Sequence, residues 1–261
     1  NITGGRGITE KHAEQLFDCG IDIITGGNHT FQHRDVYQYL DSTGGITRPL
    51  NYPPGAPGHG VAEVGNLTVI NVIGRAFMGA DYDDPFRAVD EAVKQVGANR
   101  FILVDLHAEA TSEKQALGYL LDGRISLQVG THTHAPTADH RILPAGTAFV
   151  SDIGMCGDYE SVLGMNREEP VRRFQTKIPS GRFEPATGKA TVSGLAVETD
   201  DATGLAVHVA AVRIGPNTVG EPDLACADIP IGARVRGLGR VQTDEPDVIL
   251  GVRLNVRRPA P

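Results

Sequence analysis

Residues 125–134 read Ile-Ser-Leu-Gln-Val-Gly-Thr-His-Thr-His, an apolar run that delivers two imidazoles to its carboxyl end. Side chains along a strand face opposite ways in turn, so His132 and His134 share a face, roughly 6.5 Å apart along the strand. Such a pair can ligate one metal if the strand end curls, or two adjacent metals, which in two-metal hydrolases sit about 3.5 to 4 Å apart. A lone histidine is more often a hydrogen-bonded or surface residue than a ligand. The weight therefore falls on whether other strands end in the same way.

They do. Ile21, Ile23 and Ile24 form a short β-branched run that ends in Gly26-Gly27-Asn28-His29, and the apolar strand Phe101–Leu106 runs into His107. Four of the nine histidines, His29, His107, His132 and His134, thus stand at strand ends, more than packing alone explains. Sites in α/β proteins form at the carboxyl ends of strands, where loops converge on a rigid sheet. Imidazole suits Zn, Fe, Mn or Ni, and the amide oxygen of Asn28 adds a hard, neutral ligand beside it.

The elements between these strands give the fold class. Thr9 is positioned to cap a helix through Ala13, Leu16 and Phe17 that stops at Gly20, and Val36, Tyr37 and Leu40 mark a second helix closed by Gly44. Leu67–Ile73 is a strand ending at Gly74-Arg75. Asp84 and Pro85 open a helix whose Phe86, Val89, Val93 and Val96 form one stripe before Gly97. Ser112 is expected to cap a helix through Leu117, Leu120 and Leu121 to Gly123, and Thr147–Val150 is a further strand. Residues 48–60 are dense in breakers and read as loop, which leaves His59 at the surface. Strands alternating with helices predict an α/β architecture with much parallel pairing. After residue 186 the pattern changes: Ala190–Glu198 and Leu205–Ile214 read as an antiparallel hairpin around Asp200-Asp201-Ala202-Thr203-Gly204. Residues 216–261, rich in Pro, Gly and Arg, are expected to be an appended, weakly structured tail behind a domain of residues 1–215.

Composition narrows the function classes. A chain of 261 residues with net charge −8 and pI near 5.6 carries no basic footprint for a nucleic-acid duplex. No apolar run approaches the roughly 18 to 20 residues of a membrane helix, and no signal segment opens the sequence, so a cytoplasmic setting is expected. Cys19, Cys156 and Cys226 are too few and too scattered for a disulfide framework or a cysteine-based zinc site, and each reads as a small buried side chain. The chain begins at Asn1 without an initiator methionine.

Taken in order, Gly-Gly-Asn28-His29, then His107-Ala-Glu-Ala-Thr-Ser-Glu-Lys, then Gly-Thr-His132-Thr-His134 followed by Pro-Thr-Ala-Asp, resembles the calcineurin-like metallophosphoesterases. More narrowly it is similar to the bacterial family of 2′,3′-cyclic-nucleotide 2′-phosphodiesterases. The likeness runs from Asn1 to about residue 215. It implies a sandwich of two mixed β-sheets flanked by helices, and a dinuclear centre of Fe or Mn. Asn28, His107 and His132 would hold one metal, and His134 with Asn1 would contribute to the other. His29 would be the general acid, and an imidazole near its ordinary pKa of about 6.5 suits that duty. Arg75 would clamp a phosphate oxygen, although an Arg after a strand is as often a surface charge. Glu109 and Glu113 are candidates to orient His107, with solvated or capping roles as the alternative.

The function implied is hydrolysis of a 2′,3′-cyclic nucleotide to the 3′-nucleotide by attack of a metal-bound hydroxide. Family members open with a strand ending in Gly-Asp, and a Glu directly precedes the Asn matched to Asn1. Both acids would lie before the first residue here, so the expectation is a copy missing its first strand and two carboxylates, with weak activity. The alternatives are a noncatalytic regulator binding nucleotide or a partner on the same fold, and a broad phosphomonoesterase. Self-association into a homo-oligomer is left open.

Overall fold

The computed structural model describes residues 1–96 and 101–216, together with the backbone of residues 253–255. Its elements run α1 (Glu10–Asp18), β1 (Ile24–Thr25), α2 (Val36–Ser42), β2 (Ile46–Thr47), β3 (Val61–Val64), β4 (Leu67–Ile73), α3 (Pro85–Gln95) and β5 (Phe101–His107). They continue with α4 (Thr111–Leu121), β6 (Leu127–Thr131), β7 (Arg141–Ile142), β8 (Ala148–Val150), α5 (Glu168–Thr176), β9 (Val192–Thr199), β10 (Ala206–Ile214) and β11 (Arg253–Asn255).

The largest sheet has the order β3-β4-β5-β6-β8-β7, parallel across β4, β5, β6 and β8 with antiparallel strands at both edges. The parallel centre follows from the crossovers, because α3 joins β4 to β5 and α4 joins β5 to β6. Strand alternation then divides each side chain set. Ile102, Val104 and Leu106 of β5 pack with Ile70 and Val72 of β4 under Val89, Val93, Leu117 and Leu121 of the two helices. Leu103, Leu127 and Val129 face the other way and meet Leu195, Val197 and Ala206 of the hairpin β9–β10. The expected pair of mixed sheets flanked by helices is what forms, with β11 parallel to β9 on the side opposite β10. A third cluster, Ala13, Val36, Leu40 and Ile46, joins α1 and α2 to the small parallel pair β1–β2.

Several expectations meet their residues closely. Asp84 accepts from Phe86 N and Arg87 N with Pro85 at the first turn of α3, and Thr9 caps α1 through its hydroxyl. His59 is exposed, Cys156 is buried and Cys19 half-buried. Ser112 corrects the reading: Ala110 holds the cap position of α4 in extended conformation, and Ser112 lies inside the helix. The stop at Gly97, the residue Cys226 and most of the expected tail, residues 217–252 and 256–261, lie outside the described residues.

Candidate active site

The carboxyl ends of the parallel strands meet on one side of the sheet, and the turn after β1 closes over them. Asp105 and His107 of β5 and Thr131 of β6 sit at alternate positions on the hairpin side of the sheet, continuing the row that Leu103 and Val129 begin. In the turn, Thr30 ties the loop by accepting from Gly27 N at 2.9 Å and donating to Gly27 O at 2.7 Å, which fixes Asn28 and His29 between. Gly27 lies against the His107 ring so tightly that a Cβ there would stand 2.4 Å from Cε1 and 2.5 Å from Nε2.

Three donor atoms converge. His107 Nε2 is 2.9 Å from Asn28 Oδ1 and 3.1 Å from His132 Nδ1, with the two rings edge to face. The partners on the far side of each ring set its tautomer. Thr131 donates its hydroxyl to Asp105 Oδ1 at 2.8 Å, so it receives the Nδ1 proton of His107 at 3.1 Å. His132 directs Nε2 at the Glu109 carboxylate, 3.2 Å away. With both ring protons committed outward, two imidazole lone pairs and an amide oxygen face one another with no proton between them. Burial, followed by the charge of its imidazole neighbour His132, pushes the His107 pKa well down. Burial lowers that of His132. Both rings are therefore neutral, which is the form that ligates metal.

His134 stands apart, on the second arm of the loop. It donates Nδ1 to Leu163 O at 2.9 Å, with Nε2 3.5 Å from Asn1 Nδ2. The Asn1 amide is turned away from a ligating pose, since its Oδ1 accepts from Gly7 N at 3.0 Å. Both loop histidines adopt left-handed backbone, with φ of 100° at His132 and 64° at His134, a conformation that costs a non-glycine residue energy and gathers at functional sites. A buried ion pair holds them there. Asp152 Oδ2 receives Lys114 Nζ at 2.9 Å and Thr133 N at 3.0 Å, and Oδ1 receives Gly154 N at 2.9 Å. The pair is fully enclosed, and Gly130 lets Ser151 O and Lys114 Cδ come that close.

His29 follows Asn28 and is half-buried, close enough for its charge to act on His107 and to feel that of His132. Burial first, then Arg6, lowers its pKa. Arg75 is exposed just beyond β4. Glu113 does not reach His107; its carboxylate accepts from Arg75 N at 2.9 Å and Ala76 N at 3.3 Å. Glu109 orients His132 rather than His107. The group that orients His107, Thr131 backed by Asp105, was not expected from the sequence. Burial pushes the Asp105 carboxyl up to about 6 despite hydrogen bonds from Thr25 and Thr131.

The donor set fits a metal in its neutral half. Among the described residues no three His, Cys, Asp or Glu side chains meet at one point, and the third donor beside His107 and His132 is the Asn28 amide. Each of the three rings has one nitrogen bound to a carboxylate, carbonyl or hydroxyl oxygen, the arrangement that fixes ligating imidazoles.

Residues 1–212 match the family described as YmdB-like protein. The chain belongs to the YmdB-like family. Over 219 residues it is 45% identical to the 2′,3′-cyclic-nucleotide 2′-phosphodiesterase of Bacillus subtilis (strain 168), covering 82% of each chain. Over 225 residues it is 34% identical to a putative phosphatase/phosphodiesterase of Mycoplasma pneumoniae, covering 82% of this chain and 79% of the relative. Among solved structures, a hypothetical protein from Thermus thermophilus aligns with a TM-score of 0.71 at 40% identity, covering 80% of the YmdB-like chain and 82% of its own. A Mycoplasma pneumoniae structure described as a novel phosphatase aligns at 0.73 with 31% identity, covering 82% and 79%.

Proposed function

We propose that the chain is a metal-dependent phosphodiesterase that opens 2′,3′-cyclic nucleotides to 3′-nucleotides. The observation that carries this reading is that His107 Nε2 lies 2.9 Å from Asn28 Oδ1 and 3.1 Å from His132 Nδ1, while the outward nitrogen of each ring is engaged by Thr131 or Glu109. Three facing lone pairs repel unless a cation lies among them. The phosphodiesterase and phosphatase names of the relatives support the same reading. Asn28, His107 and His132 would hold one metal, and His134 with Asn1, its amide turned over, would serve a second. Fe or Mn suits such nitrogen and oxygen donors. When bound, a metal pair activates water near neutral pH and offsets charge on the phosphoryl oxygens.

The residues of the chain do the rest. Arg75 receives a phosphoryl oxygen. The oxygen of water adds to phosphorus as one of its protons passes to solvent, the bond from phosphorus to O2′ breaks, and the electron pair left on O2′ takes a proton from His29 in its imidazolium form, which burial and Arg6 disfavour. The 3′ ester survives as the product phosphate. The reading includes a cytoplasmic setting; among the described residues no helix is long and apolar enough to cross a membrane.

The phosphatase names favour one second reading, a broad phosphomonoesterase on the same donors. Incubating the protein with Mn or Fe and a 2′,3′-cyclic nucleotide separates the two. The expected product is the 3′-nucleotide, with phosphomonoesters turned over far more slowly. The His29→Ala variant loses turnover while metal content, read by elemental analysis, stays unchanged. Formation of the 2′-nucleotide, preference for monoesters, or loss of metal in His29→Ala would overturn the assignment.

A further inference from the structure

The loop after β4 presents two solvent-facing side chains on a backbone fixed from beneath. It leaves the sheet beside the ligand strand, with Gly74 N donating to His107 O at 2.9 Å. Gly74 itself is pressed onto α4, where a Cβ would stand 2.4 Å from Glu113 Oε2 and 2.5 Å from Ala108 Cβ. Glu113 then holds the next two backbone amides, those of Arg75 and Ala76. On this anchored frame Arg75 is exposed, and Phe77 is 87% exposed with a left-handed φ of 63°.

Among the described residues no ring contact accounts for Phe77. Nearby aromatic rings are engaged: Phe31 meets Tyr37 and Tyr52 edge to face, and Tyr52 tilts onto Tyr82 from the far end of the same loop. Phe77 takes no part in the ring contacts among the described residues. A phenyl ring left in water forfeits the stabilisation its burial gives, and left-handed backbone at a bulky residue adds strain. Strained residues held by an anchored frame collect at ligand clamps. Three residues span at most about 11 Å, which bounds how far Phe77 lies from Gly74, whose amide is bonded to His107 O.

We propose that Phe77 is the platform on which the substrate's nucleobase stacks, and that it gives the site its preference for nucleotides over phosphodiesters lacking a base. The proposal rests on the phosphodiesterase reading above. With the cyclic phosphate at the imidazole cluster and Arg75 on a phosphoryl oxygen, the base is the part of the substrate left to place. Its π-face matches an exposed phenyl ring two residues beyond that cation, and stacking of this kind tolerates any base.

The test compares 2′,3′-cyclic AMP with the 2,3-cyclic phosphate of methyl riboside, which keeps the reacting ester and lacks the base. In Phe77→Ala, kcat/KM for the nucleotide falls relative to the base-less ester by roughly five- to hundredfold, the range for one base on one ring, and the loss appears in KM. Phe77→Trp restores the ratio. Calorimetric binding of 3′-AMP against ribose 3-phosphate shows the same ratio without turnover. An unchanged ratio in an active Phe77→Ala protein overturns the stacking role and leaves the phosphodiesterase reading intact. A change in oligomeric state alone, read by sedimentation, also overturns it by assigning the ring to a second copy. A wild-type protein that neither binds nor opens the cyclic nucleotide overturns both.

Discussion

The two halves of the imidazole site are built differently. His107 and His132 are held through their side-chain partners: Thr131 and Asp105 behind one ring, Glu109 behind the other, and the Gly27 backbone packed against the first. His134 is held by the main-chain carbonyl of Leu163, and its facing group Asn1 by the main-chain amide of Gly7. Thr131 and Asp105 are buried in the sheet, whereas Leu163 is 53% exposed. The first half is specified by side chains at and beside strand ends. The second is specified by backbone on loops, so it adapts more easily and leaves little mark on residue identity.

Gly27→Ala is expected to break the first half most severely. Its Cβ would meet three atoms of the His107 ring at 2.4 to 2.7 Å, so the ring must shift from its place beside Asn28. Metal affinity at the first site should fall by roughly a hundredfold or more, beyond what loss of an orienting partner costs. Overpacking adds roughly 1 to 3 kcal/mol of destabilisation. Competition titration with a chelating dye gives the affinity and thermal melting the stability. An affinity within a few fold of wild type would mean the ring is not tuned by that contact.

Thr131→Val keeps the shape of the side chain and removes the hydroxyl between His107 Nδ1 and Asp105. The ring loses the acceptor that fixes its tautomer, and metal affinity should drop roughly 10- to 100-fold. The buried Asp105 carboxyl also loses a donor, at a cost on the order of 1 to 3 kcal/mol. The two readouts separate the roles: a stability loss with affinity unchanged would make Thr131 a packing residue only.

The same contrast explains what the sequence disclosed. Periodicity and capping located β4 at its observed bounds and α3 at its observed start, because Leu67–Ile73 is continuous and apolar and Asp84-Pro85 is an unambiguous start. The grouping of Asn28 with His107 and His132 was legible as polar side chains at strand ends. Thr131 with Asp105, and Lys114 with Asp152, were not, since the first pairing is 26 residues apart and the second 38, and both depend on how β5, β6, β8 and α4 lie together. One signal was present: Asp105 interrupts the otherwise apolar Phe-Ile-Leu-Val-Asp-Leu-His, and a carboxylate in a buried strand needs a partner. The edge strands β3 and β7 have four and two residues, too short for alternation to register. The helix α5 carries Pro170 near its start and exposes Val171 and Phe174, so it lacks the buried stripe by which a helix is recognised.

Leu163→Ala probes the second half and should change least. The group that binds His134 Nδ1 is the carbonyl of residue 163, which every residue carries. The Leu163 side chain is 53% exposed, so its truncation removes little buried surface, and alanine shares the strain of the left-handed φ of 54°. Metal affinity at both sites should stay within roughly threefold of wild type, well short of the 10- to 100-fold typical when an orienting side chain is removed. Leu163→Pro is the sharper companion, because a ring that fixes φ near −65° forbids this backbone and must displace the carbonyl. It should weaken the His134 half alone, giving one tight and one weak metal in the titration. If Leu163→Ala instead matched the loss seen in Thr131→Val, His134 would be positioned by side-chain packing after all, and the two halves would follow one design.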